Sequence, residues 1–371
     1  MGESTDDFFE GKRPWSKIKD EVLGNYMQPY LAKLNRKGPP ILLIDGYAGP
    51  GTFEDGSRGS PLIMCEKGEK NAKGNYTAIF VNNKKKYHDR LKKELQERSL
   101  SAIAEARYGD TKQLLQELPK TLSDQSVFLY LDPFGPTGCD FALLEPFLKR
   151  NSRFSTEVML TLNMPGMPRL AARHVNDNRS QEDEDIKRNR LWLTRIFGGD
   201  YWKEILLSQI GINEDRDFQL VEAYSNKLAQ YLPYTRFCPV REKTGGRIKY
   251  FIVFASHHKD SLVLLNDIAA KAYFAGMHKA DLGEGLWAET DWREMRNMHD
   301  LDEVVLNTVS KHLGETRKSI WSYIVLAHFM HYLEPEYLAS VKRLVKGNRL
   351  FTPNLGKTGQ LNNDCQLFLP Q

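Results

Sequence analysis

The chain has 371 residues, enough for a full core and, by length alone, two or three domains; its 41% hydrophobic and 27% charged content is that of a globular protein. A formal net charge of +4 does not by itself demand a nucleic-acid partner, so any basic surface must be local. No run of about 18 apolar residues exists, which excludes a membrane-spanning helix, and Cys65, Cys139, Cys238 and Cys365 are scattered without a Cys-x-x-Cys pair, which argues for reduced thiols and against a metal centre. The first residues, MGESTDDFFEGKRPW, lack the apolar segment of a signal peptide and carry Asp6 where a myristoylation signal needs Ser or Thr, so a cytoplasmic protein is expected.

Residues 14 to 33 predict a helix, with Ile18, Val22, Tyr26 and Tyr30 four residues apart; Lys17 and Lys19 read as solvated surface, with a reach over the edge of a following sheet as the alternative. Ile41 to Ile44 is an apolar strand ending in Asp45, and a loop follows with Gly46, Ala48, Gly49 and Gly51. Glycines let the backbone approach a ligand, and an acid at a strand end accepts hydrogen bonds from an amine or hydroxyls. The spacing is not the Gly-x-Gly-x-x-Gly of a dinucleotide site, because the loop continues through Glu54, Asp55, Gly56 and Gly59 before Ser60 caps a helix at Pro61. A second strand, Tyr76 to Val81, ends in Asn82 and Asn83, and Tyr87, Leu91 and Leu95 mark the helix after it. A third run ends in Tyr108-Gly109-Asp110. The fourth, Val127 to Leu131, is nearly all apolar, as a strand buried on both faces should be, and ends in Asp132-Pro133-Phe134-Gly135. In an open parallel sheet Asp45, Asp110 and Asp132 then lie along one edge, where ligands bind.

Glu157 to Asn163 reads as a fifth strand. The stretch 164–190 reads as an inserted loop, holding Met164 to Pro168, Arg169, Arg173 and a mixed-charge run; it serves equally as a substrate cover or a solvated excursion. After a helical stripe of Phe218, Val221, Tyr224, Leu228 and Tyr231, two strands, Tyr234 to Arg241 and Ile248 to Ser256, flank a short Gly245-Gly246 loop and must be antiparallel. A nicotinamide-binding domain would finish with another parallel strand instead. His257 and His258 read as incidental. Leu264, Ile268 and Ala272 mark another helix, and helices over Ser319 to Tyr332 and Pro335 to Val345 precede two extended runs, Arg349 to Thr352 and Cys365 to Leu369. That tail has the form of a winged helix. Lys342, Arg343, Lys346, Arg349 and Lys357 give it a basic side, which suits phosphates or serves only as soluble surface.

The loop Asp45 to Gly51 resembles motif I of S-adenosylmethionine-dependent methyltransferases. Together with Gly59-Ser60-Pro61, Gly109-Asp110, Leu131 to Gly135 and Phe254 to His257, it makes the chain resemble the three-Cys-motif partner protein family, a methyltransferase-like group, over roughly residues 14–275. The resemblance implies an α/β fold: a Rossmann-like class I methyltransferase domain over 1–275 with the inserted loop 164–190, then a helical, winged-helix-like domain over 276–371. It implies S-adenosylmethionine as cofactor, held by Asp45, Gly46, Ala48, Gly49, Gly51, Asn82, Gly109 and Asp110, with Asn82 where most such enzymes place an acid. Asp132, Pro133 and Phe134 resemble the Asp-Pro-Pro-Tyr/Phe motif of amino-methyltransferases and are the catalytic candidates, although Phe134 replaces the second proline. The expected function is methyl transfer to nucleic acid, with an amino target. Its rival is a catalytically degenerate binding protein with the same fold. Expected partners are DNA or RNA along Lys342, Arg343, Lys346 and Arg349, and a three-Cys-motif protein; no metal and no membrane are expected.

Overall fold

The computed structural model describes residues 14–133, 140–171, 184–208, 214–243, 245–282, 300–353 and 360–370. They form two compact units, Met1–His258 and Lys259–Gln371. In the first, chain order runs α1 (Pro14–Asn35), β1 (Ile41–Asp45), α2 (Ser60–Asn71), β2 (Tyr76–Asn82), α3 (Lys85–Glu97), β3 (Ala104–Tyr108), α4 (Thr111–Glu117), β4 (Ser126–Leu131), α5 (Phe141–Leu148) and β5 (Thr156–Leu162). It continues with α6 (Met167–Ala171), α7 (Glu184–Phe197), α8 (Trp202–Ser208), α9 (Glu214–Ala229), β6 (Tyr234–Arg241) and β7 (Ile248–Ser256).

The seven strands form one sheet in the order β3-β2-β1-β4-β5-β7-β6. Pairing is parallel from β3 through β5, whereas β7 runs antiparallel to both β5 and β6. Every residue of β1, β4 and β5 is buried, as expected of central strands covered on both faces. Because side chains alternate along a strand, β4 divides its residues between the two layers. Val127, Leu129 and Leu131 belong to a core cluster with Phe141, Phe147, Leu193, Leu220 and Tyr224 of α5, α7 and α9. Phe128 instead meets the rings of Tyr26 and Tyr30 of α1 at 6.1 and 5.4 Å, and Tyr26 also packs edge-on against Phe254 of β7 at 5.1 Å. The four-residue spacing on α1 is therefore the footprint of a helix laid across β4 and β7. Each such buried aromatic contributes about 1.5–3 kcal/mol of burial energy.

The stretch 164–190 is helical wherever it is described. Met164, Met167 and Ala171 are buried in the main core and Ile186 is buried at the start of α7, so apolar anchoring outweighs the charge run that suggested a loop. Residues 172–183, Arg173 among them, lie outside the described residues.

The second unit comprises α10 (Lys259–Leu282), α11 (Leu301–Lys311), α12 (Arg317–Ala327) and α13 (Glu334–Lys346). The expected boundary at residue 275 falls inside α10, which is one continuous helix of this unit; Asn266 within it donates to the Tyr332 carbonyl (2.8 Å) and accepts from the Met330 amide (2.7 Å). Val305, Ile320, Trp321, Tyr337, Val341 and Leu367 make a separate core. The two extended runs of the tail meet through one antiparallel bridge, Phe351 to Phe368, and Gln366 bridges to Thr316 at the start of α12. Lys357 lies outside the described residues. Cys65, Cys238 and Cys365 are buried free thiols.

Candidate functional site

Asp45 is the last residue of β1 and is completely buried. One carboxylate oxygen accepts the Tyr47 amide (3.0 Å) and the other accepts the Ser60 hydroxyl (2.6 Å). Burial pushes its carboxyl up to about 7, against the lowering effect of those two donors. The loop after it is pinned to the sheet: Gly46 donates to the Tyr130 carbonyl (3.0 Å) and Ala48 to the Val81 carbonyl (2.9 Å), while Asn82 donates its amide to the Gly49 carbonyl (3.3 Å). A Cβ on Gly46 would lie 2.6 Å from Leu131 and 2.8 Å from Thr111, so the β1 exit has no space for a side chain. Gly51 has φ +91° and faces the Glu94 carboxylate of α3. Its glycine is required by backbone conformation and by that close approach together.

Glu94 was not singled out by the sequence. It accepts the Thr52 amide (3.0 Å) and the Thr52 hydroxyl, and Arg98 donates to it at 3.0 Å, so α3 holds the far end of the glycine loop. Its only local signal is the four-residue spacing to Arg98, which is shared by many solvated helix pairs.

At the neighbouring strand ends, Asn82 is buried and its carbonyl accepts the Gly109 amide (3.0 Å). Asp110 is exposed and caps α4 by accepting the Lys112 amide (2.9 Å). Tyr108 beside it is 57% exposed. Asn82, Gly109 and Asp110 thus gather where β2 and β3 end.

Asp132 follows β4 immediately. Its carboxylate accepts the Thr161 hydroxyl (2.5 Å) on one oxygen and pairs with the Lys19 ammonium on the other. Lys19 comes from α1, is only 8% exposed, and stands 5.8 Å from the centroid of the Tyr250 ring. Burial alone would lower the lysine, but Asp132, Asp20 and Asp45 outweigh it and hold the ammonium above its usual range. Tyr130 pairs in register with Asp45 and precedes Asp132 by two residues, so all three point to the α1 face. Its buried hydroxyl has no hydrogen-bond partner among the described residues, and burial raises its titration well above the ordinary range, so it stays protonated. Tyr250 donates to the Trp15 carbonyl at 2.7 Å.

The structure therefore brings Asp45, Gly46, Ala48, Gly49, Gly51, Asn82, Gly109, Asp110 and Asp132 to the ends of four adjacent strands, β3-β2-β1-β4. Pro133 is half-buried, and Phe134 lies outside the described residues. His257 and His258 fall at the opposite edge, because β7 runs antiparallel and its Ser256 pairs with Glu157 near the start of β5. Among the described residues no cluster of metal-ligating side chains occurs, and no helix is long and apolar enough to cross a membrane.

No family model matches the chain, and no curated protein does. Among solved structures it is similar to a methyltransferase from Geobacter sulfurreducens, at 11% identity and TM-score 0.25 over 36% of this chain and 58% of that one. It is also similar to the human methyltransferase 10 domain containing protein, at 12% identity and TM-score 0.32 over 64% of this chain and 82% of that one. An O-methyltransferase from Bacillus cereus in complex with SAH gives 13% identity and TM-score 0.34 over 67% and 94% of the two chains. Likeness at these levels is distant, and the fold class rests on this chain's own strand order. It is a mixed α/β protein with a seven-stranded, mostly parallel sheet of the Rossmann-like methyltransferase kind and a helical C-terminal region.

Proposed function

We propose that the chain is an S-adenosylmethionine-dependent methyltransferase, and that it acts on amino groups of nucleic acid. The observation that supports this most is the placement of Asp45 and Asp132 at the ends of adjacent strands, on one face, with a pinned glycine loop between the first of them and β2. The residues suit the cofactor: Asp45 is a buried carboxylate whose hydrogen bonds come from uncharged donors, which leaves it suited to an ammonium, and Asp110 presents an exposed acceptor at the far end of the same edge. Asp45 and the Gly46–Gly51 backbone would hold the methionine half; Asn82, Gly109 and Asp110 would hold the adenosine half. When bound, the cofactor supplies an electrophilic methyl on a sulfonium. Asp132 orients the incoming nitrogen, and the protein's contribution is mainly alignment. The basic residues of the second unit suit a nucleic-acid partner.

Calorimetry with S-adenosylmethionine and S-adenosylhomocysteine tests the cofactor. Tritiated methyl transfer to total cellular nucleic acid and protein tests the reaction, with a three-Cys-motif protein supplied as candidate partner. Asp132→Ala should leave the affinity for S-adenosylhomocysteine, which is neutral at sulfur, nearly unchanged and eliminate labelling.

A second reading is a methyltransferase-fold scaffold without turnover. It is favoured by Asn82, whose amide is tied to Gly49 rather than offering the charge of an acid. A wild type that binds cofactor yet labels nothing above the Asp132→Ala background would make the scaffold the better account.

A further inference from the structure

The α1 helix does not need a charge to hold the sheet. Ile18 and Val22 are buried along it, and Tyr26 and Tyr30 already seal it onto Phe128 and Phe254. Burying an ammonium and a carboxylate beside that seal is costly, because desolvation consumes most of their mutual attraction, so a buried pair is weak evidence for a stabilising role. Lys19 and Asp132 are nevertheless placed together, 113 residues apart in sequence, at the strand end where chemistry is expected. A second feature of the same spot points to a ligand: the buried Tyr130 hydroxyl, on the same face, lacks a hydrogen-bond partner among the described residues. Such a group seldom stays unsatisfied.

An ionised carboxylate offers about four lone-pair sites. Thr161 and Lys19 each take one of those on Asp132, one per oxygen, which fixes the plane of the group and leaves acceptor capacity on it. Resting on the methyltransferase reading, we propose that Lys19 is a positioning residue of the transfer site: acting through Asp132, it holds a carboxylate that admits an uncharged N–H or O–H nucleophile and, with Asp20 next to it on α1, turns away anionic ones. As the nucleophile's lone pair forms its bond to the methyl carbon, the carbon–sulfur pair returns to sulfur, and the proton shed by the nucleophile passes to Asp132 and on to water. An anionic acceptor has no proton to give and would meet the Asp132 carboxylate at the point of attack.

The test needs no identified acceptor. Sinefungin carries an amine-bearing carbon where the cofactor has its methylsulfonium, so its affinity relative to S-adenosylhomocysteine reads the charge at the methyl position. Calorimetry on the full chain should show the preference for sinefungin rising about tenfold in Lys19→Met, where Asp132 loses its counter-charge, staying near wild type in Lys19→Arg, and falling in Asp132→Asn. Should Lys19→Met melt below the assay temperature, Lys19→Gln and Asp132→Asn carry the comparison. A ratio unmoved by both neutral Lys19 variants and by Asp132→Asn overturns the proposal while leaving the cofactor site standing. A folded wild type that binds neither compound overturns the methyltransferase reading itself. Label recovered as a base-labile methyl ester would also overturn the inference, since a carboxylate acceptor is the class it excludes; base-stable methyl on nitrogen or hydroxyl oxygen supports it.

Discussion

Asp45 holds a proton to about 7 in the fold, whereas an unfolded aspartate releases it near ~3.9. Between those values the native state binds more protons than the unfolded chain. The stability due to this group is therefore full below about 4 and is lost as pH rises through about 7, an effect on the order of 4 kcal/mol. Asp217, which burial raises to about 6, acts in the same direction, so the informative quantity is a difference. The thermal midpoint of cofactor-free protein should fall between about pH 4 and 7 more steeply than that of Asp45→Asn, by an amount corresponding to that free-energy scale. Parallel slopes would mean that Asp45 is ionised throughout. The same residue predicts proton release: a cofactor ammonium beside it favours the carboxylate, so binding heats near pH 7 should differ between buffers of different ionisation enthalpy. Asp45→Asn should remove that difference.

Helices decide how the strand ends are furnished. The sequence made the central strands legible because Ile41–Ile44 and Val127–Leu131 are nearly all apolar, and made α1 legible because its stripe repeats every four residues. It exposed neither the Glu94 clamp nor the Lys19–Asp132 pair as contacts, since each partner is chosen by how a helix crosses the sheet, which no local pattern records. Within 164–190 the described residues are helical for a related reason. In α7 the buried Ile186, Leu193, Ile196 and Phe197 are interleaved with charges that face water, so composition suggested a solvated loop where periodicity carried a helix. The role of α3 is testable. Glu94→Ala leaves the Thr52 amide without its acceptor, a loss of roughly 1–3 kcal/mol. Because the glycine loop is what it holds, cofactor affinity should drop several-fold while the buried stripe of Tyr87, Leu91 and Leu95 keeps α3 in place. Glu94→Gln, able to accept one of the two bonds, should fall between. Affinity unchanged in both variants would separate the clamp from the cofactor.

For the whole molecule, a net charge of +4 spread over 371 residues conceals where cations are available. In the second unit, Arg343 is bound to both oxygens of Asp302 (2.8 and 2.5 Å) and Arg349 to Glu303 (2.8 Å), whereas Lys342 and Lys346 are exposed on α13. If this surface meets nucleic-acid phosphates, the arginines must first surrender an acidic partner, and the lysines are the groups expected to carry the contact. Each neutralised phosphate steepens the salt dependence of duplex binding by about 0.9 in log K against log salt. A variant with Lys342→Ala and Lys346→Ala should therefore bind a mixed-sequence duplex more weakly and lose about 1.8 from that slope, while Arg343→Ala should change the slope little and lower the thermal midpoint instead. Fluorescence anisotropy across a potassium chloride series measures both quantities. Should the double-lysine variant keep the wild-type slope, α13 is solvated surface, and any nucleic acid is held elsewhere on the chain.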